Sequence, residues 1–132
     1  MDGQKDWVAL VGRALFALTF IVTGWQKITA FSGTVGFLAS TGLPFPSLLT
    51  VASIVVELGG GLAVLFGWKT RWAALGFIVF VIVVTPIFHA FWSEPPAQAM
   101  MQQVNFLKNV AILGGALLLL AFGPGRYSVD RA

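Results

Sequence analysis

"TVASIVVELGGGLAVLFGWK", residues 50–69, decides the fold. It is an apolar run of about the 20 residues that cross roughly 30 Å of hydrocarbon. Within a bilayer every backbone N–H and C=O must be satisfied inside the segment, so the run reads as an α-helix. Its length and its lack of alternation exclude a membrane strand. One acid, Glu57, stands near its middle. An ionised side chain there costs roughly 2.5–3.5 kcal/mol on insertion scales, so the rest of the chain has to supply what offsets it.

Composition extends this reading to the whole chain. Of 132 residues, 58% are hydrophobic and only 10% charged, with a mean hydropathy of +0.88. A water-soluble domain carries about 25% charged residues. The class is therefore integral membrane, with the lipid bilayer as the first partner. The net charge is +3, but the eight Lys and Arg are scattered singly or in pairs. That is no basic stripe, and nucleic acid is not expected as a partner. The absence of cysteine removes Fe–S ligation and a thiolate nucleophile. One histidine cannot supply a bis-His haem, and no set of residues suggests a metal site. The start, "MDGQKDW", carries Asp2 and Asp6 before a long apolar run and does not read as a signal peptide.

Four apolar segments predict four spanning helices, at about 7–28, 46–68, 72–92 and 102–122, within a single domain covering 1–132. "GLPFPS" (42–47), "GWKTR" (67–71), "SEPPAQ" (93–98) and "FGPG" (122–125) punctuate them. Residues 29–43 predict a loop with a short amphipathic helix at the interface between helices one and two. The fold class is all-α, a four-helix membrane bundle. Lys5, Arg13, Lys69, Arg71, Arg126 and Arg131 fall on one side, which the positive-inside rule assigns to the cytoplasm together with both termini.

Counting depth at about 1.5 Å per residue puts Glu57 near the midplane. Lys108 and Asn109 come slightly outward of it, Asn105 and His89 further out, and Lys27 near the outer boundary. Arg13 lies about two turns in from the cytoplasmic face. Gln102, Asn105, Lys108 and Asn109 form one helical stripe. Ser53, Glu57, Gly60 and Gly61 share a face on which small residues admit a neighbouring helix. The expectation is a polar core with Glu57 against Lys108. Plain alternatives exist for several members: Arg13 snorkelling to headgroups, Lys27 as an interfacial anchor, His89 as a structural hydrogen-bonder.

In their order and spacing, "GRALFALTFIVTGWQKI" (12–28), "STGLPFP" (40–46), "VVELGGGLAVLFGWKTRWAAL" (55–75), "HAFW" (89–92) and "NFLKNVAILGGALLLL" (105–120) resemble the DoxX family of small four-helix bacterial membrane proteins. The resemblance implies a location in the bacterial cytoplasmic (inner) membrane. It also implies an association with thiosulfate:quinone oxidoreductase-like or quinone-detoxifying systems. The positions matching the family's polar pattern are Arg13, Lys27, Glu57, His89, Lys108 and Asn109.

Three functions compete. In the first, the chain is the membrane component of a redox system. It binds quinone in the polar core and works with a soluble oxidoreductase or another membrane subunit. Glu57, His89 and Lys108 would then transfer protons or polarise the ligand, and Arg13, Lys27, Asn105 and Asn109 would bind it. No cofactor is encoded: there is no G-x-G-x-x-G and no P-loop, so electrons must come from a partner. In the second, the chain is a non-catalytic anchor or assembly module. In the third it is a small proton-linked transporter, which with four helices would need a homo-oligomer.

Overall fold

The computed structural model describes residues 2–131. It is a bundle of five helices: α1 (Asp2–Thr29), α2 (Phe31–Ser40), α3 (Pro46–Phe66), α4 (Thr70–Phe88) and α5 (Pro96–Phe122). A single 3₁₀ turn, Phe91–Ser93, links the last two. Four of the helices are long and apolar enough to span a membrane, and α2 is the short apolar one between the first two spans. The protein is an all-α, four-span membrane protein.

Two boundaries differ from the hydropathy reading. α1 starts at Asp2 rather than near Trp7, and α5 at Pro96 rather than Gln102. In α1 the helix continues past the apolar run into polar residues, where hydropathy gives no signal; in α5 it takes in the Pro-Ala-Gln-Ala-Met-Met stretch, which opens on the second of the two prolines that read as a break. Pro96 sits in the first turn of α5, where its fixed φ suits a helix start and its missing N–H costs nothing.

α3 is not uniform. Val55–Gly59 form a π turn around Glu57. A π turn holds more residues than an α turn, so the faces above and below it are offset. The single face expected for Ser53, Glu57, Gly60 and Gly61 is also divided beyond that turn, because Gly60 and Gly61 are adjacent and point about 100° apart on the helix. A Cβ on Gly60 would meet the Phe77 ring of α4 at 2.9 Å, while one on Gly61 would meet Ile21 of α1 at 2.9 Å. The two glycines thus seat α3 against different neighbours. Below the polar pair the core is apolar: Ala17, Phe20, Val64, Phe77, Ile78 and Ala116. Phe20 and Phe77 lie 4.2 Å apart between ring centroids.

The end of the bundle that carries both termini is closed by backbone chemistry. α3 finishes in a Schellman turn: Gly67 is left-handed at φ 67, Trp68 N–H donates to Ala63 O at 2.8 Å, and Gly67 N–H to Val64 O at 3.2 Å. The tail after α5 folds back over this turn, with Val129 N–H donating to Phe66 O and Asp130 N–H to Gly67 O. Asp130 in turn accepts from the Lys69 and Thr70 N–H groups at 2.9 and 2.8 Å. It caps α4 from a distance in sequence and neutralises two orphan donors of that helix.

Candidate functional site

All five helices contribute to one cavity of about 1180 Å³. Its wall is mostly apolar, with Phe20, Leu38, Val56 and Phe80 among its residues. It extends along α4 to Trp72 and Leu75, which are 75% and 42% exposed. The cavity therefore opens sideways, toward lipid in a membrane. α2 supplies Thr34, Phe37 and Leu38 to the lining. Placed over the end of α1 and against α3, this helix roofs the cavity as well as linking two spans.

Glu57 lies on the cavity wall and is buried, 5% exposed. Its partner is Lys27, not Lys108. Lys27 Nζ donates to Glu57 Oε1 at 2.6 Å, and Glu57 Oε2 is buried without a partner. The reason is register. A Cβ on Gly24 would touch Leu58 N at 2.9 Å, so α1 and α3 are in backbone contact at that level. Lys27, one turn beyond Gly24, then meets Glu57, one residue before Leu58. Depth counting put Lys27 too far out because it assumed that α1 and α3 share a midpoint. In the structure the first turns of α3 rise past the end of α1 and pack against α2. Lys27 also stands 5.8 Å from the centroid of Phe80, so an aromatic face shares its charge.

The α4/α5 wall carries the other polar groups. His89 follows the last turn of α4, and its Nδ1 faces Gln102 Oε1 at 2.8 Å. An amide oxygen only accepts, so Nδ1 is the donor in this contact. Asn109 Nδ2 donates to Thr85 Oγ1 at 3.1 Å. Lys108 lines the cavity, is exposed, and forms no ion pair; among the described residues the one salt bridge is Lys27–Glu57.

The cavity thus gathers Lys27, Glu57, His89, Lys108 and Asn109, and omits Arg13 and Asn105. Arg13, expected as a ligand-binding residue, lies outside the cavity lining and is held by backbone carbonyls. Only 4% exposed, it donates to the carbonyls of Val64 (2.7 Å), Leu65 (3.1 Å), Pro124 (2.6 Å) and Tyr127 (2.8 Å). Two of these are the orphan carbonyls at the C-terminus of α3, the negative end of the helix dipole, which is how a cation is buried there without a carboxylate. Gln102 was not among the expected site residues, although its place on the Asn105/Asn109 stripe was a usable signal. Thr85 gave none.

This arrangement defines a small four-span membrane protein with a laterally open apolar cavity and a few convergent polar groups. The chain belongs to the DoxX family, whose family model matches residues 8–90. It is 42% identical to "Inner membrane protein YqjF" of Escherichia coli strain K12, over 99% of this chain and 95% of that protein. It is 36% identical to "Inner membrane protein YphA" of the same organism, over 92% of this chain and 87% of that protein. It is also 34% identical to "Putative oxidoreductase CatD" of Bacillus subtilis strain 168, over 54% of this chain and 52% of that protein. No solved structure matches the chain.

Proposed function

We propose that the protein is an inner-membrane component of a redox system that binds a quinone in the cavity and works with a soluble oxidoreductase. The observation that carries this reading is the cavity itself: apolar, open to the side, and bearing donors and acceptors at few points. A quinone enters from lipid, its ring lies among Phe20, Val56 and Phe80, and a carbonyl accepts from Lys27 or Asn109. Reduction to the quinol consumes two electrons and two protons. The electrons come from the partner, because this chain has no cysteine and no dinucleotide-binding motif. Glu57 and His89 exchange the protons at the carbonyl oxygens. The name of the CatD relative supports a redox context.

The test is extraction of bound quinone from protein purified in mild detergent, together with the thermal shift on adding menadione. The expected result is a co-purified quinone and a raised Tm. In Glu57→Gln and His89→Ala the shift shrinks. No bound quinone, and no shift in the wild type, would contradict the reading.

A second reading, a non-catalytic assembly module, is favoured by one observation. Lys27, Glu57, His89 and Asn109 all have partners within the chain. On that reading the double replacement Lys27→Met/Glu57→Met keeps the cellular phenotype, whereas on the redox reading it abolishes it.

A further inference from the structure

We propose that the cavity takes its ligand as an apolar monoanion, with Lys108 holding the charge. This rests on the redox reading above and narrows its substrate class to quinones bearing an ionised hydroxyl.

The cavity wall carries few charges. Its ionised side chains are Lys27, Glu57 and Lys108, with His89 as the remaining titratable group. Lys27 and Glu57 cancel each other at 2.6 Å. Lys108 is left over. Among the described residues, pairing is barred by position, and Asp2 opens α1 at the terminal end of the bundle. Along α5, Lys108 is twelve residues from Pro96 and fourteen from Phe122, roughly 18–21 Å from either end at 1.5 Å per residue. Glu94 lies beyond the first of those ends. Asp130 is engaged with the start of α4 at the terminal end of the bundle. Asp6 is in the second turn of α1, near that same end. The cavity wall therefore carries one uncompensated positive charge, on an exposed side chain in the middle of α5. A neutral ligand leaves that charge without a counter-charge. A ligand with one delocalised negative charge and an apolar body answers it and fills the rest of the space. A dianion would exceed the single free cation.

The experiment uses the full chain in phosphatidylcholine nanodiscs at pH 7.5 and compares two probes of the same ring. One is 2-hydroxy-1,4-naphthoquinone, which is anionic at this pH; the other is its neutral 2-methoxy ether. The anion is expected to bind about tenfold tighter or more, the factor of one charge-assisted contact. In Lys108→Gln the ratio falls to near one while the ether's affinity is unchanged. In Lys108→Arg the ratio is retained. Because the wild-type comparison needs no variant, a misfolded mutant does not shield the proposal. Equal affinity for the two probes, or an unchanged ratio in Lys108→Gln, overturns the inference and leaves the quinone reading standing. Binding of neither probe overturns both.

Discussion

The two ends of the bundle answer charge by opposite means. At the terminal end, Arg13 is surrounded by four backbone carbonyls and Asp130 by two backbone N–H groups. At the cavity end, Lys27 and Glu57 answer each other, one carboxylate oxygen has no partner, and Lys108 is unpaired. Backbone partners belong to the fold and cannot leave it. Side-chain partners can be exchanged for a ligand's groups at little cost, because ligand and partner offer the same chemistry. The first end is therefore built to hold, and the second to bind.

The largest expected loss comes from the terminal end. Arg13→Ala removes a donor from four carbonyls, of which Val64 O keeps the Gly67 N–H, and should cost about 3–5 kcal/mol, from buried acceptors left unsatisfied at about 1–3 kcal/mol each. It should be seen as a large drop in the SDS- or heat-denaturation midpoint. Arg13→Lys keeps the charge but loses the planar fork, and recovers only part of the loss. A near-wild-type midpoint for Arg13→Ala would remove the contrast between the two ends.

At the cavity end, Glu57→Leu strands Lys27 and should cost about 3 kcal/mol. Lys27→Met combined with Glu57→Leu should recover most of that, because replacing both partners by apolar groups is close to neutral. The double-mutant cycle in the same denaturation assay gives the coupling. Additive losses would show that the pair is not a unit.

The smallest effect is pH-dependent. Slight desolvation tends to raise the Asp130 carboxyl. The backbone donors of Thr70 and Lys69 and the charge of Arg71 outweigh it and hold the carboxyl below its ordinary value. A folded-state value below the unfolded one means that the stabilisation is present above the ordinary carboxylate range. It is lost as pH falls through the depressed value. Asp130→Asn should therefore cost about 1 kcal/mol or less at pH 7, an exposed cap's worth. The difference from wild type should vanish toward pH 3. A gap that persists at low pH would assign the effect to packing of the tail.

The spans, their number and the presence of a polar core were legible because hydropathy and helical spacing report them directly. So were Glu57, His89, Lys108 and Asn109 as members of that core. The identity of Glu57's partner was not, because it depends on the vertical offset between α1 and α3, which the Gly24–Leu58 contact sets. The role of Arg13 was hidden for a related reason: its acceptors are backbone carbonyls, which every sequence has and none advertises. The π turn around Glu57 and the folded-back tail likewise follow from tertiary packing.

The cavity as a ligand site is tested most directly at Gly76. This residue lines the cavity on α4, and a Cβ there would meet nothing within 4 Å. Gly76→Phe starts from open space at its Cβ and adds a ring on the cavity lining, where it is expected to compete with a ligand. The measurement is menadione binding to wild-type and Gly76→Phe protein in nanodiscs, alongside their denaturation midpoints. Saturable binding to the wild type, its loss in the variant, and an unchanged or raised midpoint are expected. Equal binding by both proteins would contradict the cavity as a ligand site.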